Sequence, residues 1–201
     1  MSYRDEKAGM QLNDIARVRS GFTARGGIDG VRRGVLAIQQ ADFDADGFVG
    51  TGRLFRTDAA VSRHLLEPSD VLFRSRGQFT TAWVVPEEIS EPVIAVMPLF
   101  VIRPNRAVVD SHYLAWWLNQ RAAQQHFRQS SQGQTIQMIS KAALDGVPVT
   151  LPPIERQHEI ASVANLAAKQ QRLEAHLLRC RYELLTLQLE NAAHDFSETA
   201  R

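Results

Sequence analysis

The stretch Leu151-Pro152-Pro153-Ile154-Glu155-Arg156-Gln157-His158-Glu159-Ile160-Ala161 decides how this chain is organised. An extended run over residues 147–151 must end at the Pro-Pro pair, because the residue before a proline is pushed out of the helical region. Pro153 suits the first helical position, where a missing N–H costs nothing. Glu155 falls in the first turn, where the helix dipole favours a carboxylate. From Ile154 to about Ala193 there is neither Gly nor Pro. The expected fold class is α+β: a mixed curved-sheet domain over residues 1–152, then one long coiled-coil helix over 153–201.

At 201 residues and 44% hydrophobic content, the chain can build one domain with a real core plus an appendage. No 18-residue apolar run and no basic–apolar–small leader is present, so a cytoplasmic location without membrane attachment is expected. The single Cys180 excludes an internal disulfide framework and a multi-cysteine zinc site. Residues 1–153 carry 17 basic and 15 acidic side chains, and 154–201 carry 6 and 7. Of the 23 basic residues 20 are Arg. Arg offers a planar donor fork suited to phosphates and guanine edges, although a GC-rich genome produces the same bias. Placement therefore counts for more than number.

Short apolar or β-branched runs at 35–38, 71–73, 82–85, 93–96, 99–102 and 147–151 are separated by turn residues and read as strands. Residues 12–18 read as a short strand or a turn of helix leading into the Gly- and Arg-containing loop 20–27. One helix is expected from Ser111 to about Gln129, capped by Asp110 or Ser111. Trp116 and Trp117 cannot both face the core, since neighbours on a helix lie about 100° apart.

The C-terminal helix carries its own periodicity. Leu166, Leu173, Cys180 and Leu187 recur every seven residues, with Gln170, Leu177, Leu184 and Asn191 as the companion series. Such a two-stripe seam implies a partner helix. The interface residues expected are Leu166, Leu173, Leu177, Cys180, Leu184 and Leu187. About 39 helical residues would extend on the order of 58 Å.

A hydrolase reading finds no Gly-x-Ser-x-Gly elbow, no phosphate-binding Gly-x-x-x-x-Gly-Lys loop and no His-Glu-x-x-His pair. Asp42-x-Asp44-x-Asp46-Gly47 has calcium-loop spacing, but its twelfth position is Arg53 rather than an acid. No catalytic residue and no metal site is assigned. The polar groups that cluster point instead to nucleic acid: Arg25, Arg32 and Arg33 by the glycine-rich loop, Arg74 and Arg76 after the 71–73 strand, and Gln132, Gln134 and Thr135 in a third loop. Arg reads guanine bidentately, Gln reads adenine, and Thr can take a phosphate or the thymine methyl.

Several segments resemble the specificity (S) subunits of type I restriction–modification systems. They are Leu12-x-Asp14-Ile15-Ala16 leading to Ser20-Gly21-Phe22-Thr23; Ser69-Asp70-Val71-Leu72-Phe73; Gln132-Gly133-Gln134-Thr135-Ile136-x-Met138-Ile139-Ser140; and Leu151-Pro152-Pro153-Ile154-x-x-Gln157-x-x-Ile160-Ala161. The resemblance implies a DNA-reading target recognition domain and a conserved-region helix in a non-catalytic subunit. Its partners would be double-stranded DNA, the methyltransferase (M) subunits and the restriction (R) subunits. S-adenosylmethionine, ATP and Mg would belong to those partner subunits, with no cofactor in this chain. A typical S subunit carries two recognition domains and two long helices packed antiparallel, whereas this chain carries one of each. Reading a bipartite site would then require a second copy of itself or another S fragment. The alternative, from the residues alone, is a coiled-coil adaptor whose head binds protein rather than DNA.

Overall fold

The structure is a computed structural model; it describes residues 9–23, 34–43, 53–55, 61–77, 80–87, 91–131 and 138–199, with the side chains of 53–55 and 193–199 left aside. The first strand β1 (Met10–Gln11) is followed by helix α1 (Leu12–Ile15) and strand β2 (Ala16–Ser20), then β3 (Val35–Ile38), β4 (Arg53–Phe55), β5 (Val71–Arg74), β6 (Ala82–Val84), β7 (Val93–Ala95) and β8 (Leu99–Pro104). Helices α2 (Ser111–Leu118), α3 (Arg121–Ser130) and α4 (Lys141–Asp145), strand β9 (Pro148–Val149) and helix α5 (Ile154–Thr199) complete the order. The α+β class and the long C-terminal helix expected from the sequence are present.

Among the described residues the strands form three sheets rather than one. An antiparallel sheet has the order β2-β8-β5-β6, a mixed sheet has the order β4-β3-β7, and β1 pairs with β9. Alternation along the strands explains the layering. Val71, Phe73, Phe100, Ile102 and Val18 face the helices, in a core with Leu12, Ile15, Tyr113, Leu114, Leu118, Phe127 and Leu144. Leu72, Leu99 and Val101 face the other way, against Ile38, Val93 and Ala95 of the mixed sheet. The central strands β5 and β8 are therefore apolar on both faces, as a strand covered on two sides must be.

Gly21 is the corner at which the chain leaves one sheet for the other. Its N–H donates to Leu99 O at 2.8 Å, and Phe22 N–H donates to Ala95 O at 2.7 Å. A Cβ at residue 21 would sit 2.8 Å from Leu99 O and 2.9 Å from Ala95 O, so only glycine fits there.

The single helix expected over residues 111–129 is two helices. Asp110 starts α2, its carboxylate accepting from Tyr113 N at 2.7 Å. The break falls at Asn119 and Gln120, the latter extended at φ −80°, ψ 159°. Asn119 explains it. Its Oδ1 accepts from Ala82 N at 2.8 Å and its Nδ2 donates to Ala82 O at 2.9 Å, so the amide pairs the outer edge of β6 like a neighbouring strand. Gln124 adds bonds to Thr80, with Nε2 donating to its carbonyl at 3.1 Å and Oε1 accepting from its hydroxyl at 2.8 Å. Trp116 and Trp117 are both half-buried.

The junction differs slightly from the sequence reading. Pro153 lies one residue before α5, and its carbonyl accepts from Arg156 N at 2.9 Å and Gln157 N at 3.1 Å. The helix runs past Ala193 to Thr199. Two compact units result, residues 1–161 and 162–201. The first turns of α5 belong to the former because Gln157 and Ala161 are buried there, at 1% and 4% exposure.

Candidate functional site

The turn that follows β5 is built from its own sequence. Ser75 is buried and its hydroxyl donates to Pro98 O at 2.5 Å. That bond anchors the strand end, so Arg74 and Arg76 on either side are presented from a fixed backbone. Arg74 is half-buried and its Nε donates to Arg76 O at 3.3 Å. The Arg74 guanidinium lies over Gly77, whose φ is +131°; a Cβ there would meet Arg74 Nη2 at 3.1 Å. Glycine thus supplies both the left-handed backbone and the room for the arginine to fold back. Arg76 is exposed.

This turn lies beside the segment that follows the third sequence loop. Arg76 and Met138 form an antiparallel bridge, and Ile139 N–H donates to Ser75 O at 2.8 Å. The Arg74–Arg76 cluster and residues 138–139 are thereby brought together, with the Met138 side chain half exposed. Gln132, Gln134 and Thr135 themselves lie outside the described residues, as do Arg25, Arg32 and Arg33 and the acids Asp44 and Asp46.

A second basic cluster was not visible in the sequence. Arg17 and Arg103 are direct cross-strand partners on β2 and β8, with Arg19 two residues along the same face. Arg103 is bidentate to Asp70, Nε–Oδ1 and Nη2–Oδ2 each at 2.8 Å, and reaches Glu67 at 2.6 Å. Arg106 donates to Pro68 O. The Asp70 hydrogen bond holds the Arg103 proton more tightly than usual, against the opposing effect of burial.

Arg19 is the costly member. Its Nη2 donates to His64 O at 3.1 Å and Leu65 O at 2.9 Å, while its Nη1 is buried with no hydrogen-bond partner. Burial lowers its pKa, an effect that Asp70 partly offsets. His64 is likewise held towards its neutral form by burial, then by Arg19 and Arg63. Arg19 feels Asp70, Glu67, Arg103 and Arg17, Arg63 acts on His64, and Arg106 joins them through Pro68, so arginines gather around the Arg103–Asp70 pair. The positions are scattered through nearly ninety residues of sequence, so only the strand register reveals the cluster. It sits by the start of β5, whereas Arg74 and Arg76 sit by its end; the sheet does not bring the two groups together.

On α5 the expected interface residues Leu166, Leu173, Leu177, Cys180, Leu184 and Leu187 are all exposed. Leu166, Leu173 and Leu177 line a shallow apolar groove rimmed by Lys169, Glu174 and Arg181. A second stripe accompanies it. Leu178, Tyr182, Leu185 and Leu189 are each more than half exposed and lie about 140° around the helix from the first stripe at about 100° per residue. Leu178 also lines the groove beside Leu177, so this second stripe borders the seam and widens its apolar surface. No described helix is long and apolar enough to cross a membrane.

Residues 62–177 match the family model of the type I restriction modification DNA specificity domain. The chain belongs to that family. The matched span of this DNA specificity domain includes the Arg74–Gly77 turn, the Asn119 corner and the Gln157 junction. A search of curated proteins returned no match. Among solved structures it is similar to the HsdS subunit from Thermoanaerobacter tengcongensis, at 20% identity and a TM-score of 0.57, covering 85% of this chain and 40% of that one. It is also similar to the type I restriction–modification S subunit from M. genitalium, at 13% identity and a TM-score of 0.53, covering 86% and 42%. A third likeness, to a chain from a study of complex assembly and conformational transition in a type I R-M system, has 21% identity and a TM-score of 0.53, covering 82% and 38%. These likenesses show a shared fold. The specificity domain spans about two fifths of the length of the structures it matches.

Proposed function

We propose that this chain is the sequence-reading component of a type I restriction–modification complex, recognising one half of a bipartite DNA target and catalysing nothing itself. The observation that carries the reading is the family match over residues 62–177, which includes a rigidly anchored, arginine-bearing turn on the head and continues into the long helix. A fixed backbone presenting Arg74 and Arg76 suits base-edge or phosphate recognition, because phosphate contacts position a protein and base contacts specify the sequence. The exposed Arg17, Arg63 and Arg106 near the Arg103–Asp70 pair supply further positive charge suited to the DNA backbone.

The apolar stripes of α5 support two further parts of the reading. The 166/173/177/180/184/187 stripe is where a second copy packs, so that two heads read a two-fold-related target. The Leu178/Tyr182/Leu185/Leu189 stripe then remains for a methyltransferase subunit, with S-adenosylmethionine, ATP and Mg bound by the partner subunits and the assembly acting on cytoplasmic DNA. Duplex binding measured across a salt series tests the head. A steep linear fall of log affinity with log salt is expected from phosphate contacts; no duplex binding at low salt would favour a protein-binding adaptor.

A further inference from the structure

We infer that α5 pairs with α5 of a second copy in one particular antiparallel register, in which the two-fold axis passes between Leu177 and Cys180. This rests on the homodimer reading above and adds which residues meet. In an antiparallel pair, each seam residue faces one whose number makes a constant sum with its own. The heptad allows three registers that overlap most of the seam, seven residues apart in that sum. In the one proposed, the layers are Leu166 against Asn191, Gln170 against Leu187, Leu173 against Leu184, and Leu177 against Cys180, each occurring twice. Gln170 and Asn191 then fall in the outer layers, near water, and the Gln170 amide already donates to Glu174 of its own helix at 2.8 Å.

Charge selects this register. Lys169, Glu174, His176, Arg181, Glu183 and Glu190 flank the stripe and are all exposed. With the axis between 177 and 180, Glu174 faces Arg181 of the second copy, Lys169 faces Glu190 and His176 faces Glu183. The Glu174–Arg181 and Lys169–Glu190 pairs are complementary, each occurring twice, and no flanking pair is like-charged. Sliding by one heptad in one direction sets Glu174 against its own counterpart and His176 against His176. Sliding the other way sets Arg181 against Arg181 and Glu183 against Glu183. A parallel pair keeps Lys169 by Glu174 but leaves Arg181 and Glu183 without a partner of opposite fixed charge, with His176 beside Arg181 and Gln188 beside Glu183. Exposed pairs are individually weak, but a repeated flanking pattern is what sets orientation and register in paired helices.

Cys180 is the single cysteine of the chain, so it reports its own neighbour. A disulfide needs Cα atoms within about 7 Å, which only residues of one layer approach. The experiment is sedimentation of the wild-type chain, followed by oxidation in a glutathione buffer of wild type, Gln170→Cys, Leu177→Cys and Leu184→Cys. Leu177→Cys is expected to give the largest covalent-dimer fraction. A larger fraction for Gln170→Cys or Leu184→Cys would move the register by one heptad, and a larger fraction for wild type would make the pair parallel. A dimer that none of the four cross-links would place the interface off this stripe. A monomeric wild type would remove the homodimer reading itself. As an independent check, Glu174→Arg should weaken dimerisation about tenfold at low salt and Glu174→Arg with Arg181→Glu should restore it; restoration is not expected in either slid register.

Discussion

The side-chain oxygen of Gln157 accepts the backbone N–H of Asp110 at 2.9 Å, while its amide donates to Val108 O at 3.1 Å and Pro152 O at 2.8 Å. One buried amide thereby ties the first turn of α5 to the loop that starts α2. Asp110 in turn caps α2 and lies 3.6 Å from His158 Nε2. Tyr113 OH, donating to Thr150 O at 2.6 Å, and Trp117 Nε1, donating to Pro148 O at 3.0 Å, brace the same joint.

Gln157→Leu should therefore destabilise the head by about 2–4 kcal/mol, because it leaves a buried N–H and two carbonyls without partners. Denaturant unfolding followed by tryptophan fluorescence measures it. An unchanged midpoint would show that the joint does not depend on this amide.

Tyr113 gives a pH signature. Burial of its ring pushes the phenol pKa up to about 12 from the ordinary 10.0. The folded state then holds the proton more tightly than the unfolded chain. Its contribution is fully present below pH 10 and is lost as pH rises towards 12, by about 2–3 kcal/mol at about 1.4 per unit. Stability measured from pH 9 to 12 should fall in that window, and Tyr113→Phe should flatten the fall while costing the Thr150 hydrogen bond.

The Arg103–Asp70 pair should behave as a structural element with a charged surface above it. Asp70 is 1% exposed, so Asp70→Ala leaves Arg103 and the Glu67 N–H without their acceptor. A loss of about 1–3 kcal/mol is expected, since Arg103 keeps some solvent and Glu67. Thermal unfolding reads this directly.

Arg74→Ala with Arg76→Ala should weaken duplex binding by about 1–3 kcal/mol for each bidentate interaction with a base that the arginines make, with folding intact. Equal affinity and unchanged sequence preference in a competition assay would remove this turn from the interface. Leu177→Asp with Leu184→Asp should give monomers by sedimentation, because pairing would bury charge in the seam; a surviving dimer would place the interface elsewhere.

The strands at 35–38, 71–74, 82–84, 93–95 and 99–104 and the long helix were legible from short apolar runs, turn residues and the Pro-Pro stop, because those signals are local, whereas β1 and β4 carry no such run. What the sequence concealed was tertiary. Asn119 ends α2 in order to pair the β6 edge, and nothing within residues 111–130 announces that. Arg17, Arg19 and Arg103 meet only through the β2–β8 register. Tyr182 and Leu189 look like isolated apolar residues until the helix places them in line with Leu178 and Leu185.

The most direct test of the central claim is adenine-methylation mapping of host DNA with and without this gene. A motif that depends on the gene and forms an interrupted palindrome is expected, because two identical heads would read it. An unchanged methylation pattern would contradict the specificity role, and a gene-dependent but asymmetric motif would contradict pairing with its own copy.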